Sequence, residues 1–139
     1  MADVNVVNTC FTRPISLSDL SYALGGSRHR HKQQVVNQCV IEGSGVLSET
    51  TLQSAIEKVA KATPVCRMVI RNHWGFKHWR GDGPLPRLKT IHYPWDGYAS
   101  DGLPFLDGPL DLFEGPVVEV IQVISQKTFL VFRIHHAVM

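Results

Sequence analysis

The sequence contains few cysteines and no pattern that pairs them. Cys10, Cys39 and Cys66 are widely spaced, without a C-x-x-C motif. This spacing excludes the disulfide framework of small secreted proteins and favours a reducing, cytoplasmic location. A nucleophilic cysteine also needs a neighbouring base. None is identifiable in the sequence, so we expect buried and unreactive thiols.

Long apolar runs, strong charge and targeting signals are also absent. No stretch is apolar over the length that a bilayer requires. The amino terminus lacks the basic start and apolar core of a secretory signal. A net charge of +2 is too small to indicate nucleic acid or an anionic membrane as a partner. With 44% hydrophobic and 19% charged residues in 139 positions, the chain has the composition of one soluble domain.

Hydrophobic spacing predicts one long amphipathic helix. Within residues 48–63 the apolar side chains recur at i, i+3, i+4, i+7 and i+8. Ser48 is the expected cap, and Pro64 ends the helix because it cannot continue the hydrogen-bond pattern. The apolar stripe consists of Leu52, Ala55, Ile56, Val59 and Ala60.

The remaining predicted elements are mainly strands. Residues 12–25 have the pattern of an extended segment and a short helix, capped by Ser16 or Ser18 and ended by Gly25 and Gly26. The predicted strands are 34–42, 66–71, 74–80, 88–92, 117–124 and 128–134, with a tight turn at 72–73 and a hairpin connection at 125–127. This order predicts an α/β fold, more closely an α+β two-layer sandwich, in which helices pack on a mixed β-sheet.

Two features resemble metal sites, but neither has the required spacing. Four Asp-Gly pairs lie within residues 82–108 and lack the D-x-[DN]-x-[DN]-G pattern of a calcium loop, so we expect ordinary turns. His29 and His31 have no third ligand at zinc-like spacing, and no metal site is predicted. Trp74 and Trp79, on a predicted hairpin, would suit base stacking, but the charge balance favours packing.

The chain closes on two adjacent histidines after an apolar strand. With period-two alternation, His136 continues the face of Phe132 and Ile134, whereas His135 continues the face of Arg133. An imidazole buried on an apolar face is neutral, and a neutral imidazole is a suitable general base. A satisfied structural histidine has the same pattern, and strand spacing alone does not separate the two interpretations.

Residues 135–139, HHAVM, resemble the first five positions of the motif H-H-x-x-x-D-G. This motif marks the chloramphenicol acetyltransferase-like superfamily, which includes peptide synthetase condensation domains, wax ester synthases, phthiocerol diacyltransferases and plant BAHD acyltransferases. Three further segments are similar to patterns of that superfamily and occur in the same order: RPISLSDLSYAL, ATPVCRMVI and PLDLFEGP. The resemblance therefore covers nearly the whole chain.

The resemblance implies an acyltransferase with His136 as the general base and His135 shaping the site. His136 would take the proton from a hydroxyl or amine acceptor as that atom attacks an acyl thioester. The aspartate of the motif would follow Met139, and the resemblance makes Arg67 its salt-bridge partner. An exposed charge at a strand start is the alternative for Arg67. The implied acyl donor is acyl-CoA or a phosphopantetheinyl carrier protein, with no tightly bound cofactor and no metal.

The superfamily site lies in a tunnel between two similar lobes. The resemblance therefore implies that residues 1–139 form the N-terminal lobe of an acyltransferase or condensation-like domain. It also implies that the second lobe lies on another chain or was removed, and that this piece alone is inactive. The expected partners are that lobe, an acyl thioester, a small-molecule acceptor and, for a carrier-dependent enzyme, an acyl or peptidyl carrier protein. Nucleic acid and a membrane span are not expected.

Two departures from the condensation-domain pattern favour a free-standing acyltransferase. Condensation domains usually open with a glutamine-containing segment, where this sequence has SLSDLSYAL with Asp19. The segment KATPVCRMVI also lacks their usual acidic residue. A peptide synthetase-type condensation domain, which forms an amide or ester on carrier-bound substrates, is the alternative. A second alternative is a binding module of the same fold that has lost catalysis.

Overall fold

Two β-sheets and the helices around them make up the computed structural model, which describes residues 10–25 and 35–139. The strands are β1 (Thr12–Pro14), β2 (Val36–Gly43), β3 (Val69–His73), β4 (Phe76–Arg80), β5 (Arg87–His92), β6 (Val118–Ile124) and β7 (Thr128–His135). The helices are α1 (Leu17–Gly25), α2 (Glu49–Ala62) and α3 (Pro104–Asp107), with 3₁₀ turns at Pro64–Arg67 and His136–Val138. No helix in the two described ranges is long and apolar enough to cross a membrane.

The larger sheet is mixed, as the sequence predicts. Its strand order is β2-β7-β6-β5; β5 runs parallel to β6, and the other neighbours are antiparallel. The sequence predicted one sheet, but β3 and β4 pair with β1 in a second, antiparallel sheet of order β1-β4-β3. The predicted hairpin around residues 125–127 is confirmed as β6 and β7. Both strands of this hairpin are interior strands of the larger sheet.

Helix α2 confirms the predicted amphipathic helix, with a narrower buried stripe. Leu52, Ile56 and Ala60 are buried, but Val59 is 57% exposed. Ser48 occupies the N-cap position without making a side-chain cap, because its hydroxyl pairs with the Thr50 hydroxyl at 2.7 Å instead. The helix thus depends on burial of one face rather than on its predicted cap.

The turn between β3 and β4 lies two residues later than predicted. Trp74 and Gly75 form it with φ of 52° and 80°, whereas the sequence predicted Asn72 and His73. Two consecutive positive φ values are typical of a type I′ hairpin turn, and glycine adopts such a φ without a steric cost. Trp74 is exposed at this turn, so the packing prediction holds for the fully buried Trp79 alone.

A reciprocal capping box starts α1. The Ser16 hydroxyl accepts a hydrogen bond from the Asp19 amide at 3.1 Å, and the Asp19 carboxylate accepts one from the Ser16 amide at 3.0 Å. Of the two predicted caps, Ser16 is therefore correct. The same carboxylate oxygen accepts from the buried Trp79 indole at 3.0 Å and faces Arg13 at 3.3 Å. Asp19 thus ties α1 to two of the three strands of the smaller sheet, β1 through Arg13 and β4 through Trp79.

Replacing Asp19 with alanine is expected to lower the free energy of unfolding by about 1–3 kcal/mol. The substitution removes the carboxylate half of the capping box and leaves the buried Trp79 indole without its acceptor. Urea unfolding followed by tryptophan fluorescence measures the change. The control is Asp82→Ala, which removes only a half-exposed ion pair with Arg80. Equal losses for the two variants would contradict the proposed importance of Asp19.

The ionisation of Asp19 gives the same contact a pH dependence. Burial raises the pKa of this carboxyl, but hydrogen bonds from the Ser16 amide, the Trp79 indole and the Ser16 hydroxyl, with the Arg13 charge, outweigh it and lower the pKa. A lowered folded-state pKa means that the contact stabilises fully above about pH 4, the pKa of an unfolded aspartate. Its contribution is lost as the pH falls through the folded-state pKa.

Both faces of the larger sheet are covered. On one face, Leu52 and Ile56 of α2 pack against Val120. On the opposite face, the segment 93–112 packs on β6 and β7; this cluster contains Trp95, Leu103, Leu106, Ile121, Val123, Phe129 and Val131. A third cluster joins the smaller sheet to the chain end and contains Met68, Ile70, Trp79, Leu112, Val117, Val118, Ala137 and Val138. The residues after the histidine pair are therefore part of the core.

The Asp96–Gly97 pair is a turn, as predicted. The Asp96 carboxylate accepts hydrogen bonds from the amides of Tyr98 and Ala99 at 2.9 and 3.0 Å, and these bonds lower its pKa. Gly97 has φ of 85°, and a Cβ there would lie 2.6 Å from the Phe129 ring. Both the backbone conformation and the close aromatic contact require glycine.

The prediction of buried cysteines is wrong for two of the three. Cys10 and Cys39 are exposed, because Cys10 lies before the first strand and Cys39 lies on β2, the edge strand of the larger sheet. Cys66 is partly buried, and burial raises the pKa of its thiol. A thiol with a raised pKa is a weak nucleophile at neutral pH.

Candidate active site

The histidine pair lies where β7 ends. His135 is the last residue of the strand and pairs with Val36 of β2, whereas His136 begins the 3₁₀ turn. The strand thus ends one residue beyond the predicted end at Ile134, and the alternation that placed His136 on a strand face does not extend to it. Ala137 and Val138 are buried in the third cluster, and this burial turns the chain away from the sheet. The two imidazoles therefore have different surroundings.

His135 is the buried imidazole of the pair. Its side chain is 4% exposed, and its Nδ1 accepts a hydrogen bond from the Ala137 amide at 3.2 Å. Burial, with a smaller contribution from the charge of His136, lowers the pKa of His135. Strand alternation had assigned the burial-neutralised imidazole to His136, and this assignment is wrong. The role of His135 in shaping the site remains a prediction. It is supported by the hydrogen bond with which this side chain caps the 3₁₀ turn.

Acid is expected to destabilise the protein through His135. Because the folded-state pKa is lowered, stability is complete above about pH 6.5, the pKa of an unfolded histidine, and falls by at most about 1.4 kcal/mol per pH unit below it. His135→Asn keeps an acceptor for the Ala137 amide but does not titrate. Urea unfolding at pH 7 and pH 5 should show a smaller loss for this variant than for the unmodified chain. Equal losses would contradict the prediction.

His136 is half-buried and held from three directions. Its amide donates to the Val35 carbonyl at 2.8 Å. Its Nδ1 lies 3.1 Å from Asn37 Nδ2 on β2. The Tyr22 ring of α1 meets the imidazole edge to face, with 4.8 Å between centroids. Neither Asn37 nor Tyr22 was predicted from the sequence, because both contacts join segments about a hundred residues apart.

The segment PLDLFEGP leads into β6, the strand that pairs with the histidine strand β7. The Asp111 carboxylate accepts hydrogen bonds from the amides of Phe113 and Glu114 at 2.7 and 3.1 Å, which closes the turn. After this turn, the Val117 carbonyl accepts a hydrogen bond from the His135 amide at 3.0 Å. Two of the segments that carry the resemblance therefore meet at the site.

A buried ion pair between β7 and β6 lies next to the site. Arg133 and Glu119 are each 2% exposed, and Arg133 Nη1 lies 2.6 Å from Glu119 Oε2. Arg133 also donates to the Gly108 carbonyl at 2.7 Å, and its Nε has no hydrogen-bond partner among the described residues. The other oxygen of Glu119 faces Lys89 at 2.7 Å and Arg87 at 3.8 Å. The sequence placed Arg133 on the face of His135 but assigned it no role.

Among the described residues, no hydrogen bond or ion pair joins Arg67 to the histidine pair. It is the last residue of the 3₁₀ turn Pro64–Arg67, and its Nε donates to the Gly83 carbonyl at 2.7 Å. It is partly buried and lies before β3, so an exposed charge at a strand start does not describe it. Within residues 10–25 and 35–139 no ion pair involves Arg67. Its pairing with a motif aspartate remains a prediction.

The described residues contain no group of three or more His, Cys, Asp or Glu side chains that could hold a metal ion. His29 and His31, with the glycine stop at Gly26 and the loop predicted for residues 27–32, lie outside the described ranges. The prediction that those two histidines form no metal site therefore remains a prediction.

Comparison with known proteins identifies the fold. No family profile and no curated protein matches the sequence. The starter condensation domain of rhizomide synthetase RzmA superposes with a TM-score of 0.70 at 13% identity, over 91% of this chain and 33% of that one. The epimerization domain of tyrocidine synthetase B gives 0.63 at 15% identity, over 91% and 31%. The chain has a condensation-domain fold. The four-domain peptide synthetase AB3403 adds a TM-score of 0.65 at 17% identity, over 93% of this chain and 10% of its own.

The condensation-domain fold is of the chloramphenicol acetyltransferase-like type and agrees with the fold class that the sequence predicts. The chain spans 31% and 33% of the length of the two single-domain structures. At identities of 13–17%, the similarity is one of backbone arrangement. The chemistry of the histidine pair must therefore be argued from its own surroundings.

Proposed function

We propose that this chain is one lobe of a condensation-type acyltransferase, which forms an amide or ester between a thioester-bound acyl group and an amine or hydroxyl acceptor. The observation that carries the proposal is the setting of His136 within a condensation-domain fold. His136 is half-buried, its backbone amide is held by the Val35 carbonyl, and it is adjacent to a buried second histidine. This combines a fixed backbone with a ring that is not fully enclosed.

The proposal favours condensation on carrier-bound substrates over a free-standing acyltransferase. The opening segment with Asp19 had favoured the latter. However, in the structure Asp19 caps α1 and binds the Trp79 indole, so its identity is explained by packing and not by substrate class. The solved structures with this fold include starter condensation, epimerization and multidomain synthetase proteins. The departure at Asp19 therefore no longer argues against condensation.

The chemistry requires one proton to move twice. In the proposed reaction, the neutral imidazole of His136 removes the proton of the acceptor amine or hydroxyl as its nitrogen or oxygen bonds to the thioester carbonyl carbon. The carbon–sulfur bond then breaks, and the imidazolium returns the proton to the departing thiolate. Acceptor and acyl thioester become amide or ester and free thiol, without an oxidant or a second cofactor.

An acyl thioester is the donor class that this reaction needs. One starter condensation domain of rhizomide synthetase with this fold was solved in complex with C8-CoA. We propose the same class for this protein, presented on coenzyme A or on a phosphopantetheinyl carrier protein. The second lobe would complete the site, and a small-molecule or carrier-bound acceptor would occupy its other side.

The test uses the full-length protein with both lobes. It is incubated with octanoyl-CoA or octanoyl carrier protein and with a panel of aminoacyl carrier proteins, free amines and alcohols. We expect an amide or ester product by mass spectrometry, with one free thiol released per bond formed. Binding of the thioesters without any transfer would overturn the proposal in favour of a binding module. Deuterium incorporation at an aminoacyl Cα without transfer would overturn it in favour of epimerization.

A further inference from the structure

The side chain of Asn37 contacts one ring nitrogen of His136, Nδ1. Asn37 lies on β2 opposite Ile134, and its amide nitrogen is 3.1 Å from His136 Nδ1. Among the residues that the structure describes, Asn37 is the one whose side chain hydrogen-bonds to this imidazole. The contact joins residues 99 positions apart, so it exists only when β2 is paired with β7.

The orientation of this amide determines which ring nitrogen is free to act as a base. A neutral imidazole carries one N–H, on Nδ1 or on Nε2. When Asn37 presents Nδ2, Nδ1 accepts, the proton is on Nε2, and Nε2 has no free lone pair. When the amide is rotated by half a turn, Oδ1 accepts from Nδ1–H and Nε2 becomes the acceptor. The two ends of an amide have nearly equal size, so both orientations fit the same space.

We propose that Asn37 is the positioning residue of His136 and sets its tautomer, with Oδ1 accepting from Nδ1–H when His136 acts as a base. This inference rests on the proposed function, which it deepens. The same hydrogen bond persists when Nε2 gains a proton, because Nδ1 carries its proton in both states. Asn37 thus holds the ring in place throughout the proton transfer.

The other contacts of His136 do not select its tautomer. The Val35 carbonyl binds the backbone of His136, so it fixes the chain and not the ring. Tyr22 meets the imidazole through its ring edge and restricts its tilt without selecting a tautomer. Asn37 Nδ2 also contacts the Met139 sulfur at 2.6 Å. Rotation of the amide reverses the hydrogen bond to Nδ1, so that Nδ1–H donates to Oδ1, and gives up only the weak bond to sulfur.

The test measures both the tautomer of His136 and the steady-state kinetics, in the full-length protein with both lobes. Nitrogen-15 histidine labelling reports the tautomer, and the His136 signals are assigned by their loss in His136→Gln. We expect Nδ1–H at His136 in the unmodified protein and a change toward Nε2–H in Asn37→Leu. We expect kcat of Asn37→Leu to fall by about tenfold or more with KM unchanged, because a wrong tautomer removes the base without removing the substrate.

Two further variants make the expectation specific. Asn37→Asp offers only acceptor oxygens, so it should keep Nδ1–H and retain most of kcat. Its pH profile should move at the acid limb toward higher pH, since a carboxylate favours the imidazolium. Gln38→Met is the matched control, because the amide of Gln38 lies on the other face of β2, bound to the Leu106 carbonyl, and its loss should leave kcat unchanged.

The outcomes separate this inference from the proposed function. An Nε2–H tautomer in the unmodified protein that Asn37→Leu does not alter would overturn the inference, whatever the activity. A tautomer change in Asn37→Leu with full kcat would also overturn it. Full turnover in His136→Ala would instead overturn the proposed function, and the tautomer spectrum would still decide whether Asn37 sets the protonation of the ring.

Discussion

Replacing His136 with alanine is expected to lower kcat for acyl transfer by on the order of a hundredfold or more in the protein with both lobes. The variant retains binding surfaces for donor and acceptor but has no group to take the acceptor proton. Added imidazole should restore part of the lost rate, because a free base can then occupy the space of the missing ring. A structural role for His136 would give no such rescue.

The comparison that makes this result specific is a second histidine substitution. His92 is exposed at the end of β5, away from the histidine pair, and His92→Ala should leave kcat unchanged. Thermal unfolding of both variants checks that the fold is retained. Turnover of His136→Ala equal to that of His92→Ala would contradict the role of His136 as a base.

Removing the carboxylate of Glu119 is expected to cost about 3–5 kcal/mol in the free energy of unfolding. In Glu119→Ala, the fully buried Arg133 keeps only its bond to the Gly108 carbonyl, and a buried charge without a counter-charge is strongly unfavourable. A loss of this size is a large share of the stability of an ordinary domain. Urea unfolding measures it.

The opposite substitution is expected to cost less. In Arg133→Met, Glu119 still faces Lys89 at 2.7 Å and Arg87 at 3.8 Å, so its charge remains compensated. The double variant Glu119→Gln with Arg133→Met removes both charges and should be more stable than Glu119→Ala. The control is Glu114→Ala, whose exposed ion pair with Arg71 should contribute about 1 kcal/mol or less. Equal losses in all four variants would contradict this account.

Local pattern predicted the elements better than it predicted their partners. Helix α2 and the β6–β7 hairpin follow from apolar spacing and were found nearly as expected. Helix α3 was missed, because its four residues lie in a segment whose glycine, proline and aspartate content indicates turns. The division into two sheets was also missed, since the pairing of β1 with β4 joins distant segments that no local pattern identifies.

The site shows the same limit. The histidine pair was recognised from its motif, but burial was assigned to the wrong imidazole, because alternation carries no information about where Ala137 and Val138 are buried. Glu119 was within reach of sequence reasoning. The hairpin places it directly opposite Arg133, and an arginine on a buried face requires a buried carboxylate. Asn37 was not, because its contact depends on the register of β2 against β7.

The position of β2 at the edge of the larger sheet has a consequence for local opening. Asn37, which holds the ring of His136, lies on this edge strand, and Val35, which holds its backbone, immediately precedes it. Arg133 and Glu119 lie on the interior strands β7 and β6. Edge strands fray at lower free energy than interior ones. Amide hydrogen exchange along β2 should therefore become fast at denaturant concentrations where β6 remains protected, and the imidazole would lose its supports before the domain melts.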